Sequence, residues 1–440
     1  MRVGPAFLQT FASQVIQSAA SIATGILIAR GLGPAGQGRY ALFAAAVGLV
    51  SVLGAAGQFE GHVLTSAGER TRGRVLLARS LLQALAGVAV IALAQPVWRR
   101  WLRLEGDHLL SGLFLLVVVG ELTALLFRGI NLGQHHITAY NIVALVQRLS
   151  YLMLVAGLTA AGWLRVETVL AAWLVAVAAN VTVGGWWIWR RSERAPLSWR
   201  VVQEGWGHTL KRGLRALAAI SLTLVLVRAD VYMIGPMLGV EAVGQISVAS
   251  TFAEYLWYIP SILGSVLFAA VAASRGPETV AKICRASRTT IAALAPVVLG
   301  LLLVGRWVVI LVYGHAYGQA ATVFLLLLPG MFAVSLHLII DSYFTGSGFP
   351  PITYLAAAGA LLLKVAINLL LVPKMGLQGA AVATSVVYVS LLIVKVVAFS
   401  RETGVSVGTL FRPRWQDVRH NAALARSWFQ RITSATADAV

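Results

Sequence analysis

Apolar residues run along this chain in blocks of about 20, each long enough to cross hydrocarbon as a helix, with short polar or basic stretches between them. Twelve blocks lie at roughly 8–30, 39–60, 76–97, 108–130, 138–162, 167–189, 214–237, 243–270, 287–312, 320–344, 352–372 and 378–399. They predict an all-α integral membrane protein with twelve transmembrane helices. The fourth and fifth blocks carry Glu121, Arg128 and Arg148, which weaken their hydropathy.

Glycines punctuate the blocks in a repeating way. The stretch from Ala29 to Ala41 joins the first two blocks, and its glycines and Pro34 oppose an uninterrupted helix. The same spacing returns from Leu238 to Ala249, so that Gly33 and Gly38 correspond to Gly239 and Gly244. A second echo sets Gly133-Gln134-His135-His136-Ile137-Thr138 against Gly348-Phe349-Pro350-Pro351-Ile352-Thr353, in the same order. Two echoes in register predict a duplicated unit with a parallel repeat axis. The four marker glycines are candidate hinge or packing positions. The halves predicted are a six-helix bundle over 1–190, a cytoplasmic linker over 191–213, a second six-helix bundle over 214–400 and a basic tail over 401–440.

Composition agrees with the blocks. Of 440 residues, 58% are hydrophobic and 12% charged, too few polar side chains to cover a globule in water. The net charge of +19 would suggest nucleic acid in a soluble protein, but here the arginines occupy alternate connections between apolar blocks. One set holds Arg70, Arg72, Arg74 and Arg79, then the run from Arg190 to Arg215, then Arg275, Lys282, Arg285 and Arg288, and finally the tail. The other set holds only Arg30, Arg39, Arg99, Arg100, Arg103, Arg165 and Lys374. By the positive-inside rule both termini are expected in the cytoplasm, and no nucleic-acid partner is expected. The single Cys284 excludes an internal disulfide framework and a CxxC site.

The sequence holds no GxxxxGK[ST], HExxH or GxSxG motif, and its outer connections are short, so neither an enzyme nor a cofactor or metal is expected. What remains is the polar set inside the spans. Gln14, Gln17, Ser21 and Thr24 continue a stripe from Thr10 along one helical face, which fits either interhelical hydrogen bonding or the lining of a wet cavity. Asp230, Glu121, Glu254 and Asp341 are the intramembrane acids and candidates for ion coupling. Arg148, Arg228 and Lys364 are cations that could hold substrate, alongside Arg128 and Lys395. Arg148 lies eleven residues after Ile137 and Lys364 twelve after Ile352, so both halves place a cation at a similar depth. An ionisable group in hydrocarbon costs at least ~2.5–3.5 kcal/mol, so such groups turn inward, pair or meet water. Two cations facing one cavity would repel unless an anion such as a diphosphate came between them.

Three stretches resemble one family. Ala29–Leu42 is similar to the first-hairpin signature of bacterial polysaccharide biosynthesis flippases, and Asn368–Thr384 to their eleventh-to-twelfth span connection. Arg228-Ala229-Asp230, with Ile234-Gly235 following, resembles their seventh span. The resemblance covers residues 1 to about 400 and implies the multidrug/oligosaccharidyl-lipid/polysaccharide exporter superfamily, with two six-helix bundles around a central cavity. It implies a flippase in the bacterial inner membrane that moves an undecaprenyl-diphosphate-linked oligosaccharide to the periplasmic leaflet by alternating access. The expected partners are that substrate, membrane lipid and other polysaccharide-assembly proteins. The alternative is a cation-coupled multidrug antiporter of the same superfamily, although this chain does not match its cavity acids residue by residue. A membrane polysaccharide polymerase or ligase stands third, for want of a long periplasmic loop.

Overall fold

A computed structural model describes residues 5–59, 62, 73–101, 107–192, 206–348 and 350–412. The linker residues 193–205, Arg70, Arg72 and the tail beyond 412 lie outside that set. Every element within it is helical. Eleven of these helices are long and apolar enough to cross a membrane. The first candidate span, Ala12–Ala55, is 44 residues long, twice what one crossing needs, and is broken at Gly33 (φ 65°, ψ 177°). The twelve apolar blocks therefore make twelve segments, the first two being the arms of one bent helix.

Packing divides the chain into two compact units. The first comprises Met1–Ser247 with Val312–Ala316. It contains α1 (Pro5–Ala55), α2 (Gly73–Leu93), α3 (Gln95–Trp101), α4 (His108–Gly133), α5 (Ile137–Ala160), α6 (Val166–Arg191), α7 (Trp206–Leu238) and the start of α8 (Val240–Glu254). Here α4 packs against α6, and α5 against both α1 and α6. One core gathers Ile28, Tyr151, Val155, Val169 and Ala176. At one end, Arg74, Arg190 and Arg191 lie over the rings of Trp189, Trp186 and Trp187, with 4.3, 5.0 and 4.7 Å to the centroids. Tryptophan and arginine together suit the membrane–water boundary, where a ring sits at headgroup level and a guanidinium reaches water.

The second unit comprises Val248–Leu311 and Tyr317–Val440. Its helices are the end of α8, α9 (Tyr258–Ala273), α10 (Pro277–Tyr313, whose last residues belong to the first unit), α11 (Gly318–Gly346), α12 (Pro351–Met375), α13 (Leu377–Thr403) and the short α14 (Val407–Phe411). Helix α11 is the central one, packed on α13 and α9, with 72% of its apolar window buried. Helix α10 is the opposite case: 37 residues, or ~55 Å, exceed the hydrocarbon thickness, and only 17% of its window is buried.

The corresponding turns of the two halves each contain a positive-φ residue, but two positions out of register with one another. Helix α4 ends at Gly133, His135 takes φ 58° and α5 begins at Ile137; α11 ends at Gly346, Gly348 takes φ 99° and α12 begins at Pro351. The first echo does more, because its two copies touch inside the first unit. A Cβ on Gly38 would overlap the carbonyl oxygen of Val240, and a Cβ on Gly244 would overlap that of Pro34. Positions 34 and 38 correspond to 240 and 244, so each copy presents a glycine to the other's carbonyl, a self-complementary contact with two-fold character. Backbone against backbone leaves no flexible side chain to yield.

That contact makes Gly38 and Gly244 intolerant of the smallest addition. Gly38→Ala or Gly244→Ala should lower the thermal unfolding midpoint of the solubilised protein, at the ~1–3 kcal/mol scale of overpacking or above. Gly48→Ala is the control, since a Cβ there meets nothing within 4 Å. An unchanged midpoint in both marker variants would show that the copies are not in contact.

Candidate functional site

In the first unit, polar chemistry converges on the middle of α5. Glu121 on α4 accepts from Gln147 Nε2 at 2.6 Å and from Trp173 Nε1 on α6 at 2.7 Å. Asn180 Nδ2 on α6 donates to Gln147 Oε1 at 2.7 Å. The carboxylate is thus held by neutral amide and indole donors, and the three helices are cross-linked at one level. Tyr151 and Tyr40 meet hydroxyl to hydroxyl at 3.3 Å, each with its ring against Trp173.

Arg148 stands beside this network. It is exposed, eleven residues or ~17 Å into α5, and close enough to act electrostatically on the Tyr40 and Tyr151 hydroxyls. No carboxylate of the described residues lies within ion-pair distance of it. A guanidinium at mid-helix that is neither buried nor neutralised by an acid belongs against water or an anion, not acyl chains.

The polar stripe of α1 splits between its two readings. Thr10 accepts from Asn141 Nδ2 of α5 at 3.1 Å, an interhelical bond. Ser21 and Thr24 donate to carbonyls of their own helix at 2.8 Å, and Gln17 donates to the buried Ser13 at 2.9 Å. Gln14 is exposed, and Gln17 and Ser21 are half-buried. On α7, Asp230 is buried and Arg228 half-buried, and neither lacks a partner. Tyr232, which feels the charge of Arg228, donates to the Ala45 carbonyl of α1 at 3.1 Å.

The second unit holds its charges differently. Lys364 on α12 has no exposed surface, and its ammonium lies 5.6 Å from the Tyr388 ring centroid on α13. Asn368, one turn on, is also fully buried. The similar sequence depth of Arg148 and Lys364 is therefore not matched in exposure. Lys395 on α13, 1% exposed, meets Asp341 Oδ1 on α11 at 2.6 Å and also lies over the Phe344 ring. His337, one turn before Asp341, is buried like Lys395, while Asp341 is half-buried. Glu254, 9% exposed, ends α8 where a single 3₁₀ turn, Tyr255–Trp257, interrupts the eighth span before α9 resumes it.

Several of these features escape inspection of the sequence. The i, i+4 spacing of His337 and Asp341 is readable, but the pairing with Lys395 spans two helices. The break after Glu254 falls in an aromatic run, Tyr255-Leu256-Trp257-Tyr258, without a glycine, and Pro260 two residues later is its only signal. Gln147, Trp173 and Asn180 stand out as unremarkable span residues until Glu121 brings them together. His135 and His136 lie at the α4–α5 turn, and no three metal-ligating side chains gather among the described residues.

No protein-family profile matches the sequence, and neither does any curated protein sequence. Solved structures do match. A lipid II flippase, MurJ, in an inward closed conformation superposes with a TM-score of 0.72 over 92% of this chain and 89% of its own, at 12% identity. A multidrug resistance MATE family transporter of the MOP superfamily, inward-facing, gives 0.71 over 88% and 94% at 16% identity. A MOP superfamily transporter from Pyrococcus furiosus, whose binding pocket is described as reversed in polarity, gives 0.65 over 90% and 94% at 15% identity. All three are transporters or flippases and none is an enzyme. The chain is a multi-pass, all-helical membrane protein with the fold of MOP-superfamily transporters.

Proposed function

We propose that the chain is a flippase for a lipid-linked oligosaccharide, moving an undecaprenyl-diphosphate-linked sugar from the cytoplasmic to the periplasmic leaflet of a bacterial inner membrane, with both termini cytoplasmic. The carrying observation is Arg148: exposed in mid-helix, without an acidic partner among the described residues, and within electrostatic reach of the Tyr40 and Tyr151 hydroxyls. A diphosphate supplies the missing negative charge and accepts from guanidinium and phenol alike. Gln14, Gln17 and Ser21 supply partly exposed polar groups for the sugar, while the polyprenyl chain stays in lipid. Lys364, with no exposed surface, is assigned to packing in this conformation and not to substrate contact.

The rival reading, a cation-coupled multidrug antiporter, is favoured by a different observation. Intramembrane acids are what such coupling needs, and the buried Glu254 at a helix break and the half-buried Asp341 against Lys395 are both available.

The two readings part on which charge is essential. In cells where this chain is the sole flippase for a polymer, Arg148→Gln should cut export about tenfold or more, at the ~1.5–3 kcal/mol scale of a charged hydrogen bond, with lipid-linked precursor accumulating. Arg148→Lys should keep part of the activity, because charge survives while bidentate geometry does not. Normal export in Arg148→Gln would remove the diphosphate assignment.

The acid is tested separately. Asp341→Asn alone strands a buried ammonium and should lower the thermal midpoint, at the ~3–5 kcal/mol scale of a broken buried pair. Asp341→Asn combined with Lys395→Met should recover most of that stability. Export restored along with stability marks the pair as structural; export still absent in a stable double variant puts the coupled antiporter ahead.

A further inference from the structure

The last two turns of α6 carry Trp186, Trp187, Trp189, Arg190 and Arg191. At about 100° per residue, Ile188 and Ser192 share one side of the helix, and that side is buried. Trp186 and Arg190 take the opposite side, while Trp189 falls on one flank and Trp187 with Arg191 on the other. Spacing of four sets Arg190 over Trp186 and Arg191 over Trp187, and Arg74 arrives from α2 to cover Trp189. A collar of guanidinium-on-indole pairs therefore circles all of the helix end except its buried side.

The scaffold beneath the collar is fixed. Leu76 of α2, Phe127 and Ile130 of α4 and Ile188 of α6 form one core at this end. Gly73 abuts Ser192 so closely that a Cβ would overlap the hydroxyl, which itself donates to the Ile188 carbonyl at 2.6 Å. Close packing of the α2 backbone on α6 thus delivers Arg74 to Trp189.

The collar also sits where hydrocarbon gives way to headgroups. Val166–Arg191 is a candidate span, so its last turn lies at one face of the membrane. Trp186, Trp189, Arg190 and Arg191 are exposed there, and Arg74 and Trp187 half-buried. No carboxylate of the described residues lies within ion-pair distance of any of the three arginines. A ring orients a guanidinium through its π face but leaves the positive charge and the N–H donors in place. All three arginine–tryptophan contacts among the described residues occur at this one helix end, a concentration that ordinary interfacial arginines do not require.

We propose that the collar is a docking surface for anionic phospholipid headgroups, independent of which substrate the chain carries. Phosphodiester oxygens complement the guanidinium forks, and indoles at that level lie against the glycerol region. A zwitterionic headgroup brings its own cation and gains less. Helix α6 also carries Trp173 and Asn180, which donate to Glu121 and Gln147. Lipid that fixes the depth of the collar therefore acts on the helix that braces the Glu121 network.

The test reads the thermal unfolding midpoint of the purified full chain in uncharged detergent. Short-chain phosphatidylglycerol, short-chain phosphatidylcholine and inorganic phosphate are titrated separately at constant ionic strength. Only phosphatidylglycerol should raise the midpoint strongly. Arg190→Gln with Arg191→Gln should need about thirtyfold more of it for the same rise, the usual worth of two interfacial charges. Arg190→Lys with Arg191→Lys should keep most of the response, because the charge is retained. Arg401→Gln with Arg412→Gln, two exposed arginines of the second unit, is the control and should respond as wild type does. No rise with phosphatidylglycerol, or an equal rise with phosphatidylcholine or phosphate, overturns the headgroup assignment. An unchanged response after Arg190→Gln with Arg191→Gln, or an equal loss in the control, removes the collar as the docking surface.

Discussion

The structure depends on two glycines, far apart in sequence, meeting backbone to backbone. Gly38 faces the Val240 carbonyl and Gly244 faces that of Pro34, at distances no side chain permits. Because the partners are equivalent positions of a repeat, each half brings the same surface, and the contact is self-complementary. It also explains why the first helix bends where it does. Gly33 and Pro34 end one arm and start the next at the point where the second arm must approach α8, and Pro34 is itself a contact partner. Apolar side chains gain little from meeting each other in lipid, so close approach of this kind carries more of the association than it would in water.

Around that frame, each intramembrane charge meets the cost of hydrocarbon in its own way. Glu121 is wrapped by neutral donors, Asp341 is met by Lys395, and Lys364 lies against an aromatic face. Arg148 alone among these four is exposed and not matched by an acid of the described residues, so it is the group that suits an incoming anion. The Glu121 network has a positioning consequence as well. Gln147 and Arg148 are consecutive on α5, so fixing the former by two strong hydrogen bonds fixes the rotation of the helix that presents the latter.

Much of the architecture is legible in the sequence because the membrane imposes a length. Blocks of about 20 apolar residues translate into helices almost without ambiguity. Glycine punctuation likewise survives as positive φ at Gly33, Gly239 and Gly348. The candidate site is less legible, for a physical reason. Spacing along a helix gives depth and relative azimuth, but not which azimuth a neighbour covers. Arg148 and Lys364 occupy comparable depths, yet one is exposed and the other fully buried, because α13 brings Tyr388 over Lys364. The stripe on α1 shows the same limit. Its periodicity is real, but Ser21 and Thr24 turn to their own backbone and only part of the stripe faces outward.

The central proposal is that the chain handles an anionic lipid-linked sugar through Arg148. The most direct measurement is translocation in proteoliposomes containing only the purified chain, with a fluorescent polyprenyl-diphosphate oligosaccharide in one leaflet and a hydrophobic organic cation offered in parallel. The account predicts that the diphosphate lipid becomes accessible in the opposite leaflet, that Arg148→Gln abolishes this, and that the organic cation does not accumulate. Accumulation of the organic cation, undiminished by Arg148→Gln and without movement of the diphosphate lipid, would contradict it.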